Sequence, residues 1–478
     1  MCFIDISKAY DSVNRELLWK VCRQYGISEK LVNLLKMLYK NSKAKVKING
    51  EFLDSFEIYN GVMQGGILSP ILFNVLFDFI IRKVIEEADV TGIQVSYGRN
   101  DFFHGTKEKY LNFDILALLY ADDLVVMCET SDDLEIFIET FEKITLAYGL
   151  SMNVKKTCIM TLKQLEVDQN NKIIHNHEVD QPDLDINIRN QKVETVNYFT
   201  YLGCGVSRDQ KPDEEINTRL AKASKAFNML RSVIRYRKTI SITSRLRIYR
   251  ACVPPVLLYG SKTWSITKTH EQRISTFYMK CLRIIIGANL DDRMSNDKIL
   301  EITGQPPIET ILRRNRLRWF GHANRMMNSD NEPSVVKKIT FSYFPEEKRP
   351  GNNGIRKRWE DKVKEDIEHC QIRNRRKYSL NRDHWRELIN KNVQNRSVHQ
   401  NIKEIIYEYK QRAVNRRNDD LAASHRVTKI KVTDFLVKDV NNHYACPGCG
   451  IQFKPQGITN HVKSCVNAQV WCKSNKIK

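Results

Sequence analysis

Residues 118–127 read LLYADDLVVM, a stretch in which two adjacent acids interrupt an apolar run. The runs 118–120 and 124–127 flank Asp122 and Asp123. Apolar runs of this length predict two buried strands joined by a tight turn. Tight hairpins normally turn through Asn-Gly or Asp-Gly. Two acids without a glycine therefore indicate a turn that is selected for its carboxylates.

A third acid, Asp5, follows the apolar run 2–4 near the start of the chain. Neighbouring strands lie about 4.8 Å apart, so Asp5, Asp122 and Asp123 are expected to converge at one sheet edge. Three such acids repel each other unless cations neutralise them, and oxygen-rich acidic sites select ions such as Mg²⁺. Two ions about 3.5–4 Å apart can stabilise both oxygens of a phosphoryl displacement. For the Asp pair alone, an ordinary acidic turn remains the alternative.

Length and composition exclude several classes of protein. A chain of 478 residues predicts two to four domains, at roughly 100–200 residues each. It has no apolar run of about 18 residues, which predicts that no segment spans a membrane. The start, MCFIDISKAYD, lacks the basic and apolar regions of a signal peptide. Eight of the 12 cysteines are scattered without a shared spacing, as reduced core cysteines are. We therefore expect an intracellular protein. Within the cell, the expected location is the nucleus.

The net charge of +21 is unevenly distributed along the chain. Residues 1–200 contain 22 Lys and Arg against 29 Asp and Glu, a net charge of −7. Residues 201–478 contain 55 against 27, a net charge of +28. An acidic first part and a basic second part predict a metal-binding region joined to a nucleic-acid-binding region. The alternative is a solvated basic surface, which the interleaved aromatic residues disfavour.

Residues 1–205 alternate strand patterns with helical patterns. The segment 44–58 alternates around Asn-Gly and predicts a hairpin. The segments 72–88 and 131–149 have the apolar spacing of helices. These features predict an α+β fold, an antiparallel sheet with helices on one face. After about residue 213 the chain is mostly helical and basic.

Five motifs occur in order along this first part: FIDISKAYD, GVMQGGILSP, LLYADDLVVM, GLSMNVKKT and YFTYLG. They resemble the successive palm motifs of reverse transcriptases from non-LTR (LINE-type, jockey-like) retrotransposons, in which the YADD box is the signature. The resemblance covers roughly residues 1–205. It implies a right-hand polymerase palm and RNA-directed DNA synthesis with Mg²⁺ or Mn²⁺. Its partners would be an RNA template, a DNA primer or target, and dNTPs.

The resemblance also implies roles for individual residues. The metal ligands would be Asp5, Asp122 and Asp123, and Lys156 would act beside the leaving pyrophosphate. The residues expected to contact nucleotide or template are Tyr10, Gln64, Gly65, Gly66 and Tyr120.

Three of these positions have further implications. Tyr10 would crowd the sugar 2′-position, although a packing aromatic is an equally good interpretation of the residue alone. Many relatives have Cys at the position of Gly66. The turn Tyr201-Leu202-Gly203 matches one that supports the primer end.

Four segments are expected. They are a palm at 1–205 with the fingers largely absent, a helical thumb or connector at 206–345, a basic linker with helices at 346–440, and a zinc finger at 441–478. Reverse transcriptases of this family have a fingers region before the motif that contains Asp5. We therefore expect an N-terminally truncated element, inactive if the fingers are required. The sequence does not indicate an oligomeric state.

The segment CPGCGIQFKPQGITNHVKSC contains four soft ligands, Cys446, Cys449, His461 and Cys465. Their spacing fits a tetrahedral CCHC site for Zn²⁺. His461 and Cys465 lie four residues apart and would share one helix face. Free surface cysteines are the alternative interpretation.

The segment LRRNRLRWFGH predicts a helix that contacts nucleic acid through Arg314, Arg318 and Trp319. An amphipathic helix that buries Ile311, Leu312, Leu317 and Phe320 is an alternative that can hold at the same time.

The sequence thus predicts an RNA-directed DNA polymerase that adds dNTPs to a primer 3′-OH by two-metal catalysis. A second hypothesis is a non-catalytic nucleic-acid-binding remnant that keeps the palm as a scaffold. A third, a group II intron or telomerase-type enzyme, fits the terminal cysteine cluster less well.

Overall fold

The computed structural model describes residues 1–97, 111–162, 164–167, 173–179, 184–231, 239–330, 332–342, 358–391, 398–426 and 432–474. The chain forms two compact units, Met1–Cys281 with Gln305–Arg396 and Leu282–Gly304 with Ser397–Lys478. The four expected segments stay a prediction about functional domains. Among the described helices, none has the length and apolarity needed to span a membrane.

The strands of the described residues are, in chain order, β1 (Cys2–Ile4), β2 (Lys43–Ala44), β3 (Lys47–Ile48), β4 (Glu51–Phe52), β5 (Phe56–Glu57), β6 (Ile93–Tyr97), β7 (Leu111–Ile115), β8 (Ala117–Tyr120), β9 (Asp123–Val126), β10 (Cys158–Ile159), β11 (Gln164–Val167), β12 (Ile173–Val179), β13 (Asn187–Ile188), β14 (Gln191–Lys192), β15 (Glu194–Thr195), β16 (Tyr198–Tyr201), β17 (Cys204–Ser207), β18 (Tyr444–Ala445) and β19 (Gln452–Phe453).

The helices are α1 (Arg15–Gln24), α2 (Glu29–Tyr39), α3 (Ser69–Ala88), α4 (Ser131–Ala147), α5 (Asp213–Met229), α6 (Ile242–Cys252), α7 (Pro254–Leu257), α8 (Lys268–Ile286), α9 (Asn296–Thr303), α10 (Ile308–Asn324), α11 (Val335–Thr340), α12 (Trp359–His369), α13 (Arg375–Leu380), α14 (Arg382–Asn390), α15 (Ile402–Arg426), α16 (Pro455–Ser464) and α17 (Val466–Ser474). Residues 213–342 are thus mostly helical where they are described, as the sequence predicts.

A five-stranded sheet in the order β15-β10-β1-β9-β8 forms the centre of the first unit. Strand β1 pairs antiparallel with both β10 and β9, and β9 pairs antiparallel with β8. Strand β15 pairs with β10 in parallel, so the sheet is mixed and the prediction of a purely antiparallel sheet is wrong at this edge. The α+β class is confirmed.

Alternating side chains of β1 and β9 enter two different cores. Cys2, Ile4, Leu124 and Val126 pack into a large cluster with residues of α1, α3 and α4. On the other face, Phe3, Val125 and Met127 pack with residues of the β16–β17 hairpin. The ring of Phe3 stacks on that of Phe199, with centroids 4.2 Å apart. Helices thus cover one face of the sheet, as predicted, and a hairpin covers the other.

Strand β8 differs from its predicted environment. Leu118, Leu119 and Tyr120 are 37%, 40% and 65% exposed, whereas Leu124–Val126 on β9 are at most 2% exposed. The prediction of two buried strands is therefore wrong for the first one. The reason is position, because β8 is the edge strand of the sheet and β9 lies inside it.

The last part of the chain forms a small module within the second unit. Strands β18 and β19 pair antiparallel and precede α16. Its core contains Tyr444, Ile458, Val462 and Ala468. This order of two strands and a helix is the one expected for a ββα finger.

Candidate active site

The opening motif forms a two-residue hairpin turn. Tyr120 pairs with Asp123, so Ala121 and Asp122 make the turn between β8 and β9. Ala121 has a φ of 56°, a left-handed conformation that glycine adopts at lower cost. The turn places Asp122 and Asp123 at the end of the sheet where β8 and β9 meet, and it does so without a glycine.

The end of β1 places Asp5 beside this turn. In the antiparallel pairing of β1 with β9, Ile4 lies opposite Leu124, and continuing the register brings Asp5 next to Asp123. Asp5 and Asp122 line the same cavity. The structure therefore brings the three predicted carboxylates together.

The electrostatics agree with this convergence. Burial raises the pKa of Asp123, and the charges of Asp122 and Asp5 raise it further. Burial, and then the charge of Asp122, raises the pKa of Tyr10. Burial and the charge of Asp123 likewise raise the pKa of Tyr201. The end of the sheet where the three carboxylates meet thus has a negative potential that attracts cations.

Lys156 lies on the loop that follows α4. Its Nζ is 3.7 Å from Oδ2 of Asp5. The loop is held against the end of β1, because the Asn153 N–H donates to the Asp5 carbonyl at 2.8 Å and the Asp5 N–H donates to Oγ1 of Thr157 at 3.4 Å. This connection brings a cation to the carboxylates from about 150 residues away in sequence.

The cavity has a volume of about 410 Å³. Of the predicted residues, Tyr10, Gln64 and Lys156 line it together with Asp5 and Asp122. The ring of Tyr10 stacks on Phe73 of α3, with centroids 4.8 Å apart. Both predicted interpretations of Tyr10 are thus compatible with its position, since it packs on the core and forms part of the cavity wall.

The glycine loop lies beside the cavity rather than in its lining. Gly65 has a φ of 79°, which favours glycine. A Cβ on Gly66 would lie 2.7 Å from Oγ of Ser69. A larger residue at this position would therefore require Ser69 to move. Tyr120 is exposed at the hairpin and also lies outside the lining.

Sequence reasoning missed five lining residues, and Lys8 and Asn153 are the two of them with long polar side chains. Lys8 has a φ of 48°, and its carbonyl accepts hydrogen bonds from the N–H groups of Asp11 and Ser12. The one feature of the sequence that could have indicated Lys8 as a site residue is its position three residues after Asp5. The left-handed turn that directs the chain around the cavity could not be read from that spacing.

The turn after β16 adopts the expected tight geometry. Leu202 and Gly203 have φ values of 47° and 78°, as a type I′ turn requires. The Tyr259 hydroxyl donates to the Leu202 carbonyl at 2.9 Å, and the Arg219 guanidinium donates to the Gly203 carbonyl. The turn is thus fixed by side chains from α5 and from the segment after α7.

Comparison with known proteins agrees with this geometry. Residues 1–206 match the family model described as reverse transcriptase (RNA-dependent DNA polymerase). These residues belong to the reverse transcriptase family. The predicted resemblance to the non-LTR branch is confirmed by the relatives that match.

One relative is the RNA-directed DNA polymerase from mobile element jockey of Drosophila funebris, 24% identical over 295 residues, which cover 60% of this chain and 28% of that protein. Another is the Retrovirus-related Pol polyprotein from type-1 retrotransposable element R2 of Nasonia vitripennis, 30% identical over 165 residues, 34% of this chain and 14% of that protein. The chain thus spans well under half of either relative. Among solved structures, a telomerase from Candida tropicalis aligns at 13% identity with a TM-score of 0.28, over 71% of this chain and 48% of that chain.

Helix α10, which follows the reverse transcriptase domain in sequence, contains the predicted arginine cluster. Arg316 is 2% exposed and donates to both oxygens of Asp366, at 2.7 and 3.0 Å. Burial, then the charge of Arg318, lowers the pKa of Arg314. Nζ of Lys262 lies 4.6 Å above the ring of Trp319. Of the three predicted contact residues, only Arg318 is well exposed.

The four predicted zinc ligands lie together after the reverse transcriptase domain. The ligand atoms of Cys446, Cys449, His461 and Cys465 are all within 4.8 Å of one another. The Sγ atoms of Cys446 and Cys465 are 3.9 Å apart. In a tetrahedral site with Zn–S bonds of about 2.3 Å, two sulfurs lie about 3.8 Å apart. The donor set therefore fits a zinc ion.

Hydrogen bonds favour a thiolate at this cluster. Burial raises the pKa of Cys446, but hydrogen bonds from the backbone of Gly448 and Cys449 outweigh it and lower that pKa. The ring of His461 stacks on Phe453, with centroids 4.3 Å apart. This contact orients the imidazole toward the thiols.

Proposed function

We propose that this protein is an RNA-directed DNA polymerase of a non-LTR retrotransposon, which adds dNTPs to a primer 3′-OH on an RNA template. The observation that supports it is the meeting of Asp5 with Asp122 and Asp123 at the edge of one cavity. The family of residues 1–206 supports the same reaction. Copying RNA into chromosomal DNA would place the protein in the nucleus.

The three carboxylates fit a pair of hard divalent cations, Mg²⁺ or Mn²⁺. Burial, and then the charges of Asp122 and Asp5, raise the pKa of Asp123. Oxygen ligands with this excess of negative charge select such ions. When bound, the ions would stabilise the attacking and leaving oxygens of the displacement. Asp5 and Asp122 would hold them, with Asp123 beside them.

Other cavity residues would position the nucleotide. Lys156 lies 3.7 Å from Asp5, so its ammonium could neutralise charge or donate a proton at the leaving pyrophosphate. Tyr10, fixed by its stacking on Phe73, would form the wall that crowds a ribose 2′-hydroxyl. Gly65 and Gly66 would let the backbone approach template and nucleotide, with Tyr120 at the rim.

The second unit would contribute a zinc finger, and α10 a nucleic-acid contact. Cys446, Cys449, His461 and Cys465 would hold Zn²⁺, as their distances allow. Arg318, and to a smaller extent Arg314 and Trp319, would contact phosphates. The helical thumb or connector and the basic linker would join these parts to the palm.

Primer extension on an RNA template with Mg²⁺ tests the proposal. We expect Asp122→Asn to lower the rate about a thousandfold, because metal stabilisation of the transition state amounts to several kcal/mol. Asp114→Asn is the matched control, since Asp114 is an exposed acid on β7 and its variant should extend normally. Wild-type protein that binds template and primer but does not extend them would overturn the proposal in favour of a non-catalytic scaffold.

A further inference from the structure

The loop that contains Gln64 is hydrogen-bonded to residues 10–13, which follow β1 and Asp5. The Gly61 N–H donates to the Val13 carbonyl and the Val62 N–H to the Tyr10 carbonyl, both at 2.8 Å. A Cβ on Gly61 would lie 2.8 Å from Cα of Asp11, so only glycine allows this approach. The position of Gln64 is thus set by residues 10–13.

Arg15 strengthens the same attachment. Its guanidinium donates to the carbonyls of Ile58, Asn60 and Gly61 at 2.8–3.2 Å. It also donates to the Tyr39 carbonyl at 3.2 Å and lies over the Tyr39 ring. The backbone before Gln64 is therefore rigidly placed, and only its side chain remains to be oriented.

Asp11 provides that orientation. Nε2 of Gln64 donates to both carboxylate oxygens of Asp11, at 3.3 Å each. An ionised carboxylate only accepts hydrogen bonds, so the amide must turn its NH₂ group toward Asp11. Its Oε1 is then the atom left for the cavity, which Gln64 lines together with Asp5 and Asp122. Within the described residues, no group donates to Oε1.

We propose that Asp11 is a positioning residue that fixes Gln64 as a hydrogen-bond acceptor for the incoming nucleotide. The inference rests on the proposed function, because it assigns the nucleotide to this cavity. In the free protein the Asp11–Gln64 contact is exposed and long, so it adds little to folding stability. A bound nucleotide would exclude water from this contact. The hydrogen bond between Asp11 and Gln64 would then be stronger, and reversing its donor and acceptor would affect nucleotide binding.

The test reverses the polarity of the pair. Asp11→Ala removes the acceptor, and we expect KM for dNTP to rise about tenfold, in the range of a hydrogen bond to a charged group, with kcat nearly unchanged. Asp11→Asn keeps an acceptor and should stay within about threefold of wild type. Gln64→Glu opposes two carboxylates and should raise KM at least as much as Asp11→Ala. The double variant Asp11→Asn/Gln64→Glu lets the new amide donate to the new carboxylate, and should recover most of that loss.

A general structural defect would not give this pattern. Thermal melting should be unchanged in Asp11→Ala, and Asp54→Ala, at an exposed acid between β4 and β5, should change neither melting nor KM. The inference is overturned if Asp11→Ala leaves KM unchanged, or if the double variant is no better than Gln64→Glu alone.

A second measurement separates this inference from the proposed function. The dNTP Kd is determined in a complex of full-length protein, RNA template and dideoxy-terminated primer with Ca²⁺. If wild type binds dNTP there but does not extend a normal primer, the proposed function fails. The inference is then supported if Asp11→Ala and Gln64→Glu raise Kd and the double variant recovers it, and it is overturned if they do not. If wild type does not bind dNTP there, the inference is overturned.

Discussion

Asp123 experiences the repulsion of the carboxylate group most directly. Burial and the charges of Asp122 and Asp5 both disfavour its ionised form. Because its pKa is higher in the folded than in the unfolded chain, the native state binds more protons there. Stability from this residue is therefore present at low pH and is lost as pH rises through the folded pKa.

Asp123→Asn should consequently stabilise the metal-free protein at pH 7. The side chain is more than a third exposed, so the effect is small, and we expect Tm to rise by roughly 1–2 °C. Thermal melts in chelator would show the difference shrinking as pH is lowered. Mg²⁺ should stabilise wild type more than the variant. Equal Tm values at pH 7 in chelator would contradict this account.

At the level of single residues, the sequence predicted the three carboxylates of the site but not all of the residues that contact or surround them. Asp5, Asp122 and Asp123 are identifiable because each follows or interrupts an apolar run. The contact of Asp11 with Gln64 joins residues 53 positions apart and depends on the close approach of Gly61. Neither residue type indicates that approach. The left-handed turn at Lys8 is equally hidden from pattern reasoning.

Among the elements, the β8–β9 hairpin shows where a strand pattern is ambiguous. Both strands are apolar, yet only β9 is buried, since β8 has a neighbour on one side only. An apolar run indicates a strand but not its position in a sheet. The pairing order, which decides burial, depends on β1 and β10 from distant parts of the chain.

The same hairpin predicts a stabilising substitution. Ala121 has a positive φ, which costs a non-glycine residue about 1 kcal/mol. Ala121→Gly should therefore raise the free energy of unfolding by about 0.5–1 kcal/mol, as measured by urea denaturation. Ala117→Gly on β8 is the matched control and should lower it by a similar amount. A loss of stability in Ala121→Gly would show that the turn is not strained.

Helix α10 separates structural arginines from those free to bind nucleic acid. Arg316→Ala would leave Asp366 buried and poorly paired, which should cost about 3–5 kcal/mol of stability. Arg318→Ala should leave stability unchanged and reduce the slope of log K against log salt for nucleic-acid binding by about 1. Denaturation and salt titration of the two variants measure both effects. A reversed result would assign the phosphate contact to the buried residue.

Across the whole chain, the sequence gives the difference in net charge between the two parts, but it does not tell which basic side chains are exposed. Residues 201–478 have a net charge of +28, but part of that charge is used inside the fold, as Arg316 and Lys362 show through their pairs with Asp366 and Glu271. Net charge therefore overstates the surface available to phosphates. The convergence of Cys446, Cys449, His461 and Cys465 was more predictable, because their spacing is local and their geometry needs no distant partner.

Zinc bound by the four-ligand cluster of Cys446, Cys449, His461 and Cys465 should determine whether the module formed by residues 441–474 is folded. Its core is small, and a core of this size needs a metal to remain folded. We expect one zinc per chain by elemental analysis. Chelation should abolish amide-exchange protection in α16 and leave β1 and β9 protected, since these strands belong to the other unit.

Cysteine variants make the zinc prediction specific. Cys449→Ser should lose zinc and the protection of α16, because it removes one of four ligands. Cys252→Ser, at an exposed cysteine outside the cluster, should retain both. Protection of α16 that survives complete zinc removal would mean that apolar packing alone holds the module, and the metal would then have no role in its folding.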